Sequence, residues 1–201
     1  VNGMFYSGNH WSEPFSGRKD STAMLRNPYS LTYTTSKDSP IAFNAVDATG
    51  EIQTFGSNQF KDHVTIVQIF GTWCPNCLDE SRFYKELFTL YADRGLRIIP
   101  VAFERGQTFE ANVQHINEYK QDLGLPYDSY IGGTASKDEA GKLFPMLNEI
   151  SSFPTSLFID QNGVVRKIHT GFYGPGTGKH YERYVNETKA LLEQMLYELT
   201  L

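Results

Sequence analysis

The chain has 201 residues, 40% of them hydrophobic, enough for one domain with a proper core and crowded for two. A formal net charge of −5 and a pI near 5.5 argue against a nucleic-acid partner. Aromatic residues at 14% exclude a disordered composition, and no apolar run is long enough to span a membrane.

Val1 is not an initiator methionine and no leader pattern comes after it, so a processed or truncated product is expected. Gly8-Asn9 and Gly17-Arg18-Lys19-Asp20 are turn signals. The short apolar pieces Gly3-Met4-Phe5-Tyr6 and Tyr29-Ser30-Leu31-Thr32-Tyr33 predict one or two short strands, or an extended arm packed on the next domain. Residues 1–38 are therefore expected to form an N-terminal extended or β arm, or the remnant of a preceding domain, with the main domain at 39–201. Trp11 and Phe15 read as packing residues rather than a ligand platform.

Ile41 to Asp47 alternates as a half-buried strand should, Thr49-Gly50 turns the chain, and Glu51 to Phe55 returns it as a hairpin. Val64-Thr65-Ile66-Val67-Gln68-Ile69-Phe70 then reads as a strand buried inside a parallel sheet. It ends at Gly71-Thr72-Trp73 and the chain's two cysteines, in Cys74-Pro75-Asn76-Cys77. After Cys77 the period changes: Leu78, Tyr84, Leu87, Phe88 and Tyr91 recur at helical spacing. A helix is expected to begin in or just after the cysteine segment, with Pro75 in its first turn.

That placement has chemical content. Unpaired N–H groups and the positive end of the helix dipole favour a thiolate, and can bring a cysteine pKa from about 8.5 into roughly 3.5–7.5. Cys74 comes first and reads as the exposed attacker. Cys77, about one turn further in, can resolve a mixed disulfide by attacking Cys74. A structural disulfide or half a zinc site are the alternatives. So short a loop restricts the unfolded chain little, and a zinc site needs two ligands that no second cysteine pair supplies. Redox chemistry is the reading taken, and a single CxxC pair fits a reducing or an oxidising compartment.

Leu96 to Phe103 is the next buried strand, which makes a right-handed parallel βαβ unit. Phe109, Val113, Ile116, Tyr119 and Leu123 mark an amphipathic helix, followed by a short strand near Tyr127–Ile131 and a short helix near Ser136–Phe144. Thr155–Asp160 and Val164–His169 form a hairpin across Gln161-Asn162-Gly163. Gly171 to Lys179 lacks the spacing of a phosphate loop and reads as a turn into a last helix carrying Tyr184, Thr188, Leu191, Leu192, Met195 and Leu199. The sequon Asn186-Glu187-Thr188 falls in that helix and carries little weight. The five histidines show no metal-ligand spacing, and His169 reads as a surface or core residue. Arg105 can bind an anion, but a solvated charge is the commoner case.

Trp73-Cys74-Pro75-Asn76-Cys77 after a hydrophobic strand resembles the active site of the thioredoxin superfamily. Phe153-Pro154-Thr155-Ser156-Leu157-Phe158-Ile159-Asp160 with Asn162-Gly163 resembles that family's cis-proline loop and following strand. From about Pro40 onward the chain is most similar to the TlpA/ResA-like thiol-disulfide oxidoreductases of the bacterial cell envelope, in their Bacteroidetes versions. The resemblance implies an α/β thioredoxin-like fold: a central mixed sheet flanked by helices, an N-terminal β-hairpin, and a helix-containing insertion before the cis-proline loop. It places Pro154 against the cysteine pair and lets the Phe153 backbone pair with an extended substrate, beside Trp73 and Pro75. It also puts a glutamate, here Glu80, near the thiols. Such a carboxylate can accept the proton of a buried thiol, or raise its pKa by repulsion. The alternative is a first-turn acid that complements the helix dipole, as Asp79 can. Minimal thioredoxins carry a buried aspartate in the preceding strand, where this chain has Gln68 nearby, so proton transfer is expected to differ.

The function expected is reduction of protein disulfides through Cys74 and Cys77, outside the cytoplasm in the periplasm or cell envelope of a bacterium. Its partners are then a disulfide-bearing protein and an upstream protein reductant, which can be membrane-bound. No organic cofactor and no metal is implied. The rivals are a peroxiredoxin-like thiol peroxidase with a sulfenic acid on Cys74, and a polypeptide-binding module whose redox activity is incidental.

Overall fold

The computed structural model describes every residue except 8–10, 25–29 and 37, and every side chain but those of Ser7 and Trp11. The expected turn at Gly8-Asn9, the Tyr29 end of the second apolar piece and the packing role of Trp11 lie outside what is described.

Strands β1 (Asn2–Ser7) and β2 (Trp11–Ser16) pair antiparallel as a sheet of their own. Both faces of this hairpin meet solvent: Met4, Phe5, Tyr6 and Phe15 are exposed. Phe15 does pack, across the hairpin onto Gly3. The next stretch joins the main body. Thr32 is buried, Thr35 N donates to Met146 O at 2.8 Å, and Asn148 N to Tyr33 O at 3.0 Å.

The main sheet has seven strands in the order β4-β3-β7-β6-β5-β8-β9. They are β3 (Phe43–Val46), β4 (Ile52–Phe55), β5 (Val64–Phe70), β6 (Leu96–Glu104), β7 (Tyr130–Thr134), β8 (Thr155–Ile159) and β9 (Val165–Thr170). β5 lies between parallel β6 and antiparallel β8 and is buried along its whole length. A strand covered on both faces explains the unbroken apolar run.

The helices are α1 (Ser57–Phe60), α2 (Pro75–Tyr91), α3 (Phe109–Leu123), α4 (Lys137–Leu143) and α5 (Lys179–Glu198). Side chains alternate across a strand, so β5 feeds two cores. Val64, Ile66 and Phe70 join α2, α3 and α5 on one face, while Val67 and Ile69 join Phe60 of α1 and Ala140 of α4 on the other. Gln68 shares the phase of Ile66 and Phe70. It therefore points under α2, where a polar side chain needs partners.

The expected strand near Tyr127–Ile131 starts three residues later. Gly124 closes α3 in the left-handed conformation, and the Tyr127 ring packs edge-on against Phe88 of α2 in the connecting segment. β7 then runs through Gly132, where a Cβ would press into the Phe103 ring of the neighbouring strand. The glycine is a packing requirement that overrides its poor strand propensity.

Candidate active site

β5 delivers the chain into Gly71, where a Cβ would lie 2.9 Å from Phe103 O and closer still to Trp73 Nε1. Only glycine lets the loop pass β6 so closely. Thr72 is then held by the buried carboxylate of Glu104, at the end of β6: its N–H donates to Glu104 Oε1 and its hydroxyl to Oε2, both at 2.8 Å. Trp73 Nε1 donates to Phe103 O at 2.8 Å. The half-buried indole meets Phe153 edge-on, and Arg105 lays its guanidinium over it, 4.1 Å from the ring centroid. Arg105, seated over the indole, is thus more constrained than the solvated charge expected from the sequence.

Cys74 is the N-cap of α2, extended in backbone, with Pro75 opening the first turn. Its Sγ accepts from Cys77 N at 3.3 Å and sits 3.8 Å from Phe153 O. Hydrogen bonding from Cys77 is the main cause that brings the Cys74 thiol down to about 7, helped by the Asn76 amide and the Arg105 charge. Cys77 is fully buried, and burial, reinforced by its hydrogen bond to Cys74 and the charges of Cys74 and Glu80, drives its thiol far above the usual range. Both sulfurs are free thiols and both residues are buried: Cys74 is 7% exposed, against the exposed position expected from the sequence, because Trp73 and the Phe153 loop pack over the helix start, and Cys77 is 0% exposed. The Phe153–Pro154 bond beside them is cis. Pro154 is buried, Phe153 half-buried and Pro75 exposed.

Glu80 lies beyond the first turn of α2, which contains no acidic residue, so the dipole reading does not describe it. It is entirely buried and receives three hydrogen bonds: Gln68 Nε2 at 3.0 Å and Ser156 Oγ at 3.1 Å reach Oε2, and Tyr84 Oη at 3.2 Å reaches Oε1. All three donors are neutral. Burial raises the carboxyl to about 8, against the lowering effect of these bonds. The cluster continues on both sides. Ser81 Oγ donates to Gln68 Oε1 and accepts from Tyr119 Oη, and the Tyr84 and Tyr184 hydroxyls stand 3.1 Å apart. His169, buried and held down to about 4 by burial, lies with its ring centroid 4.3 Å from that of Tyr184, the two rings tilted by 41°.

One sheet row explains the cluster: Gln68 pairs with Ser156 and Ser156 with His169, on the face that α2 and α5 cover. Ser156, Tyr184, Ser81 and Tyr119 were not anticipated as site residues, nor were Thr72 and Glu104. The signal available was phase, since each polar group falls where an apolar residue would ordinarily be buried. Asp79 is turned away from the site toward Arg82 Nη1, at 3.2 Å. Among the described residues, no three His, Cys, Asp or Glu side chains converge as a metal site.

The family model described as Redoxin matches residues 35–184, most of the chain. The chain belongs to the Redoxin family. The thiol:disulfide interchange protein DsbE of Vibrio cholerae is 27% identical over 112 residues, which are 56% of this chain and 52% of that protein. The thiol-disulfide oxidoreductase ResA of Bacillus cereus is 27% identical over 128 residues, 64% of this chain and 65% of that protein. The chain thus spans about half to two thirds of the length of these curated relatives. A hypothetical protein of Sinorhizobium meliloti has the same fold, with a TM-score of 0.63 at 16% identity over 83% of this chain and 87% of that one. A thioredoxin family protein of Chlorobium tepidum, titled thiol:disulfide interchange protein, gives 0.52 at 22% identity over 76% of this chain and 99% of that one. The Redoxin chain therefore has the thioredoxin-like α/β fold expected of it.

Proposed function

We propose that this chain is a thiol-disulfide oxidoreductase that reduces protein disulfides. The observation that carries the reading is the unequal cysteine pair: Cys74, lowered to about 7 at the helix N-cap, and Cys77, buried beside Glu80. The names of the relatives support it as well.

In this mechanism the Cys74 thiolate attacks one sulfur of the substrate disulfide. The other sulfur leaves as a thiolate and is protonated from solvent. Cys77 gives up its proton, with Glu80 as the acceptor once that carboxyl is ionised, and its sulfur attacks Cys74. The second substrate sulfur leaves, and the pair ends as the Cys74–Cys77 disulfide. Two electrons have passed to the substrate, and an upstream protein reductant must return them. Trp73, Pro75, Phe153 and Pro154 form the surface on which the substrate segment rests, with the Phe153 backbone as its pairing edge. Residues 1–38 are taken as an arm and 39–201 as the thioredoxin-like domain. Residence in the periplasm or cell envelope, and a membrane-bound reductant, follow from the likeness to the TlpA/ResA branch.

The test is the reduction potential of the Cys74–Cys77 couple in dithiothreitol or glutathione buffers. A value near about −270 mV supports a reductase, and one near about −120 mV makes the chain a disulfide donor and overturns the direction proposed.

A further inference from the structure

Arg105 leaves β6 exposed, and its guanidinium is fixed over the Trp73 indole at 4.1 Å. That indole is itself anchored on Phe103 O. Behind Arg105, Gly106 crowds against the Asn112 side chain of α3, which is buried. The cation is therefore held on the indole of Trp73, the residue next to Cys74 in the chain, and its charge favours the Cys74 thiolate.

Its neighbours leave it available. The adjacent carboxylate, Glu104, is buried and already bound to Thr72. Arg82, Arg94, Arg166 and Arg183 are each matched by a carboxylate, and Arg97 is spent on Gln59 O and His63. Seated over the indole, the Arg105 guanidinium has no carboxylate partner among the described residues, and its N–H fork fits a carboxylate. β6 and β8–β9 lie on opposite sides of β5, so Arg105 stands on one rim of the site.

We propose that Arg105 selects substrates that carry an aspartate or glutamate beside the disulfide cysteine. The inference rests on the disulfide-reductase reading and names the class of protein segment that reading leaves open. An acidic segment would otherwise be repelled, by the Cys74 thiolate and by the chain's net charge of −5. Arg105 offsets that repulsion on one rim and fixes which flank of the substrate cysteine lies there.

The experiment uses the full chain with dithiothreitol as reductant and three single-disulfide peptides, alike except for Glu, Gln or Lys next to one cysteine. A second set places the variable residue on the cysteine's other flank. Expected is a kcat/KM for the Glu peptide about two- to fivefold above the Gln peptide, the range of an exposed ion pair, and higher again than the Lys peptide, on one flank only. The preference should vanish in Arg105→Gln, survive in weakened form in Arg105→Lys, and shrink with salt. Titration of Cys74 by thiolate absorbance accompanies each variant. If Arg105→Gln slows all peptides equally, in step with a higher Cys74 pKa, Arg105 acts on the thiol alone and the inference is overturned. Equal turnover of all peptides by the unaltered chain overturns it too, while leaving the reductase reading intact. Turnover of none removes both.

Discussion

Cys74 and Cys77 sit one helical turn apart and live in opposite surroundings. Around Cys74 the chain places what an anion wants: a capped helix start, the Cys77 hydrogen bonds, and a guanidinium on the neighbouring indole. Around Cys77 it places what an anion cannot use: complete burial, and Glu80 inside a shell of hydroxyls and one amide with no cation in it. The difference teaches that the order of attack is written in the surroundings rather than in the thiols, since the residues are chemically identical and both buried, and only their donors and depth of burial differ.

The largest expected effect removes one side of this contrast. Cys74→Ser should reduce disulfide turnover by three or more orders of magnitude, as loss of a nucleophile does. Cys77→Ser should still attack once and accumulate a mixed disulfide, visible by mass. Loss of activity without that adduct would reverse the assignment of the two sulfurs.

The second test works on the dry side. Burial raises Glu80 from 4.5 to about 8, so between those values the folded chain holds a proton that the unfolded chain has released. Unfolding in that window releases the proton, so stability falls as pH rises through it. Glu80→Gln should remove the fall. In the oxidised protein, where neither thiol titrates, the variant should match the parent near pH 5. It should gain on the order of 2–4 kcal/mol on it by pH 8.5, read by urea unfolding. A parent whose stability is flat across this range would mean that Glu80 is ionised throughout. In the reduced protein the same variant should slow resolution of the mixed disulfide and abolish a rate increase centred near pH 8.

Tyr84→Phe removes one donor to the carboxylate, at a cost of about 1 kcal/mol. With less stabilisation of its anion, Glu80 should titrate higher, and the pH profile of resolution should move upward while the Cys74 titration stays in place. The smallest effect belongs to the Cys74 side. Thr72→Val loses one of the two bonds to Glu104, again about 1 kcal/mol or less, and should loosen Trp73 enough to raise KM more than it lowers kcat. A larger change in kcat than in KM would mean that the loop positions the sulfur itself.

The fold was legible because its signals are local. The β5 run, the switch of period after Cys77, the Asn162-Gly163 turn and the spacing of α3 each mark one element, and the parallel βαβ rule orders them. The cysteine pair and the Phe153–Pro154 segment were legible for the same reason. The polar cluster was not. Gln68, Ser156, His169, Tyr84 and Tyr184 are spread over separate strands and helices and meet only through strand register and helix docking. Glu104 was missed because a strand-end acid before Arg105-Gly106 looks like an ordinary exit from a sheet, and its burial depends on where Gly71 lets the loop pass.

The depth of Cys77 has a use beyond catalysis. With one sulfur at a helix cap and the other sealed in the interior, an alkylating reagent applied to the folded, reduced chain should add a single label, at Cys74. A probe or crosslinker could be attached beside Trp73 and Arg105 without removing any cysteine, and a second label would appear only in molecules that have opened. Counting labels by mass would then report unfolding one molecule at a time.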